Sequence, residues 1–217
     1  MNEKKMKNLI EIMNWRYATK RFNPEKKIDK ETMDMLLETL RLSPSSYGLQ
    51  PWKFIIVRNK EIRERLKIEA GYNQPQMTDS SDMIVFASKK NITNDLVDEY
   101  IKFVSKENSI DISKLDGLST MVKGSLIGKS DEQKRAWAAH QLYLAVGVLL
   151  TSCAVSSVDA CPMEGFDALK VDEILNLSVM GLESKAIVTM GYRSEDDKHA
   201  LDKKIRFPKE DVFIELN

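Results

Sequence analysis

Apolar residues recur at helical spacing directly after Asp29 and predict a helix over residues 30–42. The apolar positions on its inner face are Met33, Leu36, Leu37 and Leu40. Asp29 is placed to cap this helix, and Ile28 is placed to pack against Met33 as a hydrophobic staple. The same kind of patterning predicts further helices near residues 7–15, 60–69, 94–106, 131–157 and 167–176.

Three short runs of consecutive apolar residues predict β-strands at residues 54–57, 83–87 and 186–190. Because these runs are apolar throughout and do not alternate, both faces of each strand are expected to be covered. Residues 212–216 also have strand character and are expected to pair with a distant strand or with another subunit. Strands and helices alternate loosely, which predicts a layered α/β or α+β domain.

Two segments between the predicted elements need separate interpretation. Residues 107–130 are rich in Ser, Lys, Asp and Gly, which predicts a mobile excursion of the length that often carries a lid. Residues 136–155 carry no charge and are long enough to span a bilayer. His140 and Gln141 dilute their hydrophobicity and no aromatic belt flanks them, so we predict a helix buried in a core or a subunit interface, and no membrane span.

Composition places the chain among globular proteins. Its 217 residues can bury one sizeable core, so we predict a single domain over residues 1–217. The 33 basic and 33 acidic residues cancel, so no net field favours nucleic acid or an anionic membrane. Two cysteines, Cys153 and Cys161, match neither a disulfide scaffold nor a metal or redox motif, and no signal peptide is recognisable, which predicts a cytoplasmic protein.

Several common catalytic motifs are absent from the sequence. No G-x-S-x-G or G-x-G-x-x-G occurs, and His140 and His199 are the only histidines, so a hydrolytic triad, a Rossmann site and a histidine metal site are not expected. Residues 124–130 resemble a phosphate-binding P-loop but lack one residue between the glycines. A shortened loop cannot present the same set of N–H groups, so we interpret it as a flexible loop.

Two basic clusters lie near opposite ends of the chain. Arg16 and Lys20 belong to R-Y-A-T-K-R-F, and Lys204 and Arg206 belong to K-K-I-R-F-P. Either cluster by itself is typical of a solvated face. Together they are able to hold a phosphate group by several charge-assisted hydrogen bonds, which would bring both ends of the chain to one anion.

Two loops carry polar and turn-forming residues in unusual density. S-P-S-S-Y-G-L-Q-P-W at residues 43–52 combines hydroxyl groups, an amide and a Trp before a predicted strand. C-P-M-E-G-F at residues 161–166 has a Pro and a Gly that favour an irregular backbone with N–H groups free to face a ligand. Each loop taken by itself also fits an ordinary turn.

These segments together resemble the FMN-dependent nitroreductase family. The four motifs and the helix around Gln141 occur in the family's order and spacing over almost the whole chain. The resemblance implies a three-layer α+β fold with a mostly antiparallel central sheet flanked by helices, in an intertwined homodimer with two FMN sites at the interface. Residues 136–155 would form the central dimer helix, and the tail at residues 207–217 would extend onto the partner subunit.

The resemblance also implies which residues bind FMN. The expected cofactor-binding residues are Arg16, Tyr17, Ala18, Lys20, Pro44, Ser45, Ser46, Gly48, Asn73, Gln76, Gln141, Pro162, Met163, Glu164, Gly165, Lys204 and Arg206. Arg16, Lys204 and Arg206 would hold the phosphate, and Lys20 would approach the pyrimidine edge. Residues 44–48 would come from the other subunit. Asn73 would lie at the flavin edge, Gln141 at the ribityl chain, and the backbone of residues 162–165 at N5 and O4.

Three positions depart from the family pattern. Ala18 stands where many members have a serine, Gly48 where an asparagine is common, and Gln76 where some members have a lysine near N1 and O2 of the flavin. The loss of a cation at Gln76 should lower the reduction potential of the flavin. The three departures also leave open the alternative that the protein is an interaction module, which kept the dimer fold but no longer binds FMN.

The activity implied by the resemblance is that of an oxidoreductase. It would move two electrons from NADH or NADPH through flavin N5 to a nitroaromatic, a quinone or a similar small-molecule acceptor, by ping-pong exchange at one site. The backbone of Glu164 and Gly165 would support N5, so no catalytic side chain is expected, and Tyr47 would border the acceptor pocket. Two further alternatives stay open: a flavin-binding protein without turnover, and a specialised member such as a dehalogenase or an ene-reductase.

Overall fold

A four-stranded antiparallel sheet lies at the centre of the described part of the chain. The computed structural model describes residues 9–126 and 128–216. The strands are β1 (Trp52–Ile56), β2 (Asp82–Lys89), β3 (Asp159–Met163) and β4 (Leu182–Gly191). They lie in the order β1-β2-β4-β3, and each neighbouring pair is antiparallel. The three predicted strands are confirmed as β1, β2 and β4.

Helices cover both faces of the sheet. They are α1 (Leu9–Trp15), α2 (Lys30–Arg41), α3 (Lys60–Arg65), α4 (Gln76–Asp79), α5 (Asn94–Asn108), α6 (Asp116–Leu126), α7 (Asp131–Val155), α8 (Ala168–Ile174) and α9 (Lys209–Val212). α2 begins as predicted, because Asp29 Oδ1 accepts a 2.8 Å hydrogen bond from Thr32 N. The first predicted helix begins at residue 7, and its residues 7 and 8 lie outside the described residues. The predicted layered α+β class is confirmed.

Alternate residues of β2 face two different cores. Ile84 and Phe86 pack against α2 and α7 on one face of the sheet. Met83 and Val85 pack on the other face, against α8 and the short π-helix Leu66–Ala70. Successive side chains of a strand point to opposite faces, so a run that is apolar throughout requires a core on each side. The predicted coverage of both faces is therefore confirmed for β2, whereas in β1 only Trp52 is buried and Lys53 is exposed.

The long helix α7 is buried on one side only. Its length and its apolar composition alone would allow it to cross a membrane. Leu142, Ala145 and Leu149 are fully buried in the core, whereas Leu144 is 51% and Val155 is 58% exposed. Burial in the core is thus limited to one side of α7, and burial of the exposed side in a subunit interface stays a prediction.

The structure corrects the prediction for residues 107–130. Most of this segment is helical, with a 3-10 turn at Ile112–Leu115 followed by α6. Val122 and Leu126 of α6 are buried against Val97 and Ile101 of α5. The P-loop-like residues 124–126 belong to α6, and Ile127 lies outside the described residues. The role of the segment as a lid stays a prediction.

The C-terminal tail also differs from its prediction. Val212, the first residue of the predicted strand, ends the short helix α9, and the residues after it pair with no strand of the described chain. Ile214 and Leu216 are 87% and 94% exposed. Pairing with a distant strand of the same chain is therefore wrong for residues 212–216. Extension onto a partner subunit stays a prediction, and Asn217 lies outside the described residues.

A fourth strand was missing from the sequence prediction. β3 includes Cys161, Pro162 and Met163, which were expected in an irregular turn. The irregular backbone begins only at Glu164. β3 is an edge strand that pairs with β4 alone among the described strands, and an edge position tolerates the missing N–H of Pro162.

Candidate active site

A cavity of about 400 Å³ lies between the end of α1 and the C-terminal segment. Its lining includes five basic residues, Arg16, Lys20, Lys203, Lys204 and Arg206, together with Asp202, which lies against His199. We call four of them, Arg16, Lys20, Lys204 and Arg206, the cation site. The two basic clusters seen in the sequence therefore meet in the folded chain, as expected. Tyr17 and Ala18 also line this cavity. Binding of phosphate at the cation site stays a prediction.

The cation site has an excess of positive charge. Burial and then the charge of Arg206 lower the pKa of Arg16. Burial, Arg16 and Arg206 likewise lower the pKa of Lys204. Within the described residues, no salt bridge joins the four basic side chains to an acidic one. A cluster of like charges without an acidic partner is suited to bind an anion.

Lys204 also holds the two segments together. Its Nζ donates hydrogen bonds to the carbonyl oxygens of Met13 and Arg16. Both carbonyls lie at the C-terminal end of α1, where the helix has no N–H donors of its own for them and where a cation is favoured. Lys204 thus positions Arg16 as well as adding a charge.

Asp197 is the residue of this region that sequence reasoning missed. Its Oδ2 accepts hydrogen bonds from Tyr17 Oη at 2.8 Å, Lys20 N at 2.8 Å and Arg21 N at 3.0 Å. Burial by itself favours the neutral acid, but the donated hydrogen bonds outweigh it and hold the pKa of Asp197 below its ordinary value. The hydroxyl of Tyr17 is therefore engaged with Asp197, which gives Tyr17 a structural role in the loop.

Arg193 fixes the same loop from its other side. Its guanidinium lies 4.4 Å from the ring centroid of Trp15 and 4.6 Å from that of Tyr17. It also donates to Asp159 Oδ1 at 2.6 and 2.8 Å. Ala18 forms a bridge with Ala160 of β3. The loop that carries Arg16 and Lys20 is thus anchored directly to the sheet.

A second cavity of about 480 Å³ shares Lys20 with the first and is also lined by Gln76 and Asp197. Gln76 is only 4% exposed, and its Oε1 has no hydrogen-bond partner within the described residues. A buried polar atom without a partner costs about 1–3 kcal/mol. Gln76 therefore offers an acceptor to a ligand that lies beside Lys20.

The buried thiol of Cys161 lies beside the same two side chains. Burial raises its pKa, while the charge of Lys20 and a hydrogen bond with Gln76 act against that rise. Cys161 is 1% exposed, so it serves here as a neighbour that orients the amide of Gln76.

A hydrogen bond from Gln74, the neighbour of Asn73, reaches the loop after β3. Asn73 has a positive φ of 59°, which turns the chain sharply before α4. Gln74 Nε2 donates to the carbonyl oxygen of Gly165 at 2.7 Å. Glu164 and Gly165 are exposed directly after β3, whereas Pro162 and Met163 belong to the strand.

Residues 44–48 do not line the cation site within one chain. Ser46 N donates to Gln141 Oε1 at 2.8 Å, and Gln50 N donates to Ser45 Oγ at 3.0 Å. Ser45, Ser46 and Gln141 therefore form one group, while Arg16 and Lys204 form another. This separation agrees with a site that two subunits complete.

Gly48 packs directly against Tyr100 of α5. Gly48 has a φ of 72°, and a Cβ atom on it would lie 2.5 Å from Tyr100 Oη. Tyr47 and Tyr100 both pack against the apolar cluster of α5 and α6. The departure to glycine is thus explained by Tyr100, which occupies the space that a side chain at residue 48 would need. The expected place of Tyr47 at the border of the acceptor pocket stays a prediction.

Substituting Gly48 by alanine is expected to destabilise the protein by about 1–3 kcal/mol, because alanine is strained at positive φ and its Cβ would displace Tyr100. Urea unfolding measures this difference. Gly124→Ala is the matched control, since nothing lies within 4 Å of a Cβ at that helical position. Equal stability of the two variants would contradict the close contact.

Comparisons with known proteins show the family of the chain. The model of the Nitroreductase family matches residues 13–192. A protein of Staphylococcus haemolyticus named as an NAD(P)H nitroreductase is 36% identical over 214 residues, which cover 94% of this chain and 95% of that protein. That name is provisional. The chain therefore belongs to the nitroreductase family, and it is an oxidoreductase of that class.

Solved structures share the fold at low sequence identity. The nitroreductase ydfN of Bacillus subtilis superposes with a TM-score of 0.84 at 22% identity and covers 95% of this chain and 98% of its own. A nitroreductase of Exiguobacterium sibiricum, solved in complex with FMN, has a TM-score of 0.81 at 20% identity. The match covers 96% of this chain and 97% of that one. Both names are provisional, and both likenesses show the fold.

Proposed function

We propose that this protein is an FMN-dependent oxidoreductase that passes two electrons from NADH or NADPH to a small-molecule acceptor such as a nitroaromatic or a quinone. The observation that carries the proposal is the cation site, where Arg16, Lys204 and Arg206 lack acidic partners among the described residues. Bound FMN would supply the redox chemistry, first accepting electrons from the donor and then releasing them to the acceptor. We place this activity in the cytoplasm.

The residues present fit FMN at two separate points. Arg16, Lys204 and Arg206 would hold its phosphate, since guanidinium and ammonium groups suit that anion. Lys20 and the unpartnered amide oxygen of Gln76 would face the ring edge, which carries both donors and acceptors. The backbone N–H groups of the exposed Glu164 and Gly165 would stabilise negative charge near the reacting part of the ring.

Two copies of the chain would complete each site in a homodimer. The exposed apolar side of α7 and the exposed apolar tail offer surface for such an assembly, with Leu144, Val155 and Ile214 as examples. In the dimer, residues 44–48 and Gln141 of one subunit would meet the cation site of the other. The donor and the acceptor would then use one open face in turn, because no separate dinucleotide motif is present in the sequence.

The visible spectrum of the purified protein tests the proposal. Under anaerobic conditions, a flavin band is expected that bleaches with NADH or NADPH and returns when a nitroaromatic or a quinone is added. A flavin band that neither donor bleaches would contradict the enzymatic activity and favour a flavin-storage protein. If the protein binds no added FMN, the assignment of FMN as its cofactor is contradicted.

A further inference from the structure

We propose that Asp197 is a positioning residue of the cofactor site, acting through the main chain of Lys20. This inference rests on the proposed function, because it concerns how the site holds FMN. Asp197 is 2% exposed and lies directly before the 3-10 turn Lys198–Leu201. Its carboxylate joins the N-terminal loop of the site to the C-terminal segment.

The hydrogen bonds of Asp197 determine the direction of Lys20. Oδ2 accepts from the consecutive N–H groups of Lys20 and Arg21, at 2.8 and 3.0 Å. Two adjacent N–H groups directed at one oxygen fix the peptide plane between them, and with it the direction in which Lys20 leaves the backbone. Tyr17 Oη adds a third donor at 2.8 Å.

The other oxygen of Asp197 holds the C-terminal segment. Oδ1 accepts from His199 N at 3.1 Å. His199 and Lys20 both line the two cavities described above. The segment that follows His199 leads to Lys204 and Arg206, so one carboxylate sets the relative position of both halves of the cation site.

Asp197 achieves this without neutralising Lys20. Its oxygens are occupied by main-chain donors and a phenol, and no ion pair joins it to the ammonium of Lys20 within the described residues. Lys20 is exposed and its charge stays available to a ligand. An ordinary salt bridge would have fixed the side chain but would also have cancelled its charge.

Asp197→Asn is the variant that isolates this role. Asparagine has the same shape, but it has one acceptor oxygen instead of two and its amide N–H₂ would face N–H donors. Asp196→Asn is the matched control, because Asp196 is exposed, lines the same second cavity and loses the same charge. Thermal melting of both variants shows whether each still folds.

FMN release after dilution of the flavin-bound protein, followed by flavin fluorescence, gives the dissociation constant. Asp197→Asn is expected to weaken FMN binding at least tenfold, and Asp196→Asn less than twofold. Equal FMN binding by the two variants would overturn the inference. Wild-type protein without flavin would instead overturn the proposed function, so the two failures are distinguishable.

A double-mutant cycle with Lys20→Met tests whether Asp197 acts through Lys20. The double variant is expected to bind FMN no more than threefold more weakly than the weaker single variant. If the losses of FMN affinity in Asp197→Asn and Lys20→Met multiply in the double variant, Asp197 has a general structural role and the inference is overturned. If Asp197→Asn does not fold, Tyr17→Phe removes one donor and keeps the carboxylate. It is then expected to weaken FMN binding a few-fold, again without multiplying the effect of Lys20→Met, and multiplication would count against the inference.

Discussion

Replacing Arg206 by alanine is expected to weaken FMN binding about 10- to 100-fold, because a charge-assisted hydrogen bond contributes about 1.5–3 kcal/mol. The same change is expected to leave the FMN-free protein as stable as the wild type or more stable. Arg206 is exposed and its charge acts against the charged forms of Arg16 and Lys204. Fluorescence titration with FMN and thermal melting of the FMN-free protein measure the two effects.

Weaker FMN binding without any loss of stability in the FMN-free protein is the result expected when the charges of a site are arranged for a ligand. Lys209→Ala is the control, since Lys209 lies in α9 and does not line the cation site. It should change FMN binding less than twofold. Unchanged FMN binding in Arg206→Ala, or a lower melting temperature of its FMN-free form, would contradict the assignment.

Replacing Gln76 by lysine is expected to raise the reduction potential of bound FMN. Reduced FMN carries more negative charge than the oxidised form, and a cation within about 4–10 Å stabilises that charge by roughly 1.7–4 kcal/mol at a protein surface. For a two-electron couple this corresponds to about 35–90 mV. Wild-type protein should accordingly have a lower potential than a relative with lysine at this position.

Equilibrium titration against a reference dye measures the potentials. Thr78→Lys adds the same charge on the same helix, α4, but does not line either cavity, so it should shift the potential by less than half as much. No rise in the Gln76→Lys variant would contradict the placement of Gln76 at the flavin ring.

The predictable part of the fold is the part that local pattern determines. The helix after Asp29 and the three apolar strands follow from spacing and capping, and the structure has them. β3 was not predicted because it contains Pro162, and proline is tolerated in a strand only at the edge of a sheet. Local sequence does not show that β3 is an edge strand, since this depends on the order of all four strands.

Tertiary contacts account for the helix that was not predicted. The sequence of α6 is polar enough to suggest an irregular excursion, yet Val122 and Leu126 lie on the face that packs against α5. A few apolar residues in a segment rich in polar ones are a weak signal when the surface that they pack against is unknown. Packing against α5 supplies most of the stability of such a short helix.

The same distinction applies to the site. Charge clustering was enough to select Arg16, Lys20, Lys204 and Arg206, because several like charges close in sequence are visible without a structure. Asp197 lies in the acidic run E-D-D, which is typical of a solvated surface. Its partners Lys20 and Arg21 are main-chain groups 177 and 176 residues away, and no side-chain pattern marks them.

The separation of 188 residues between Arg16 and Lys204 has a consequence for chain entropy. Closing a flexible loop costs free energy that grows with the logarithm of its length. Once the bridge between Phe22 and Arg193 has formed, only residues 17–21 and 194–203 still separate the two cations along the shortest connected path. This bridge thus carries nearly all of the loop-closure cost, and the cation site is expected to assemble before any ligand arrives.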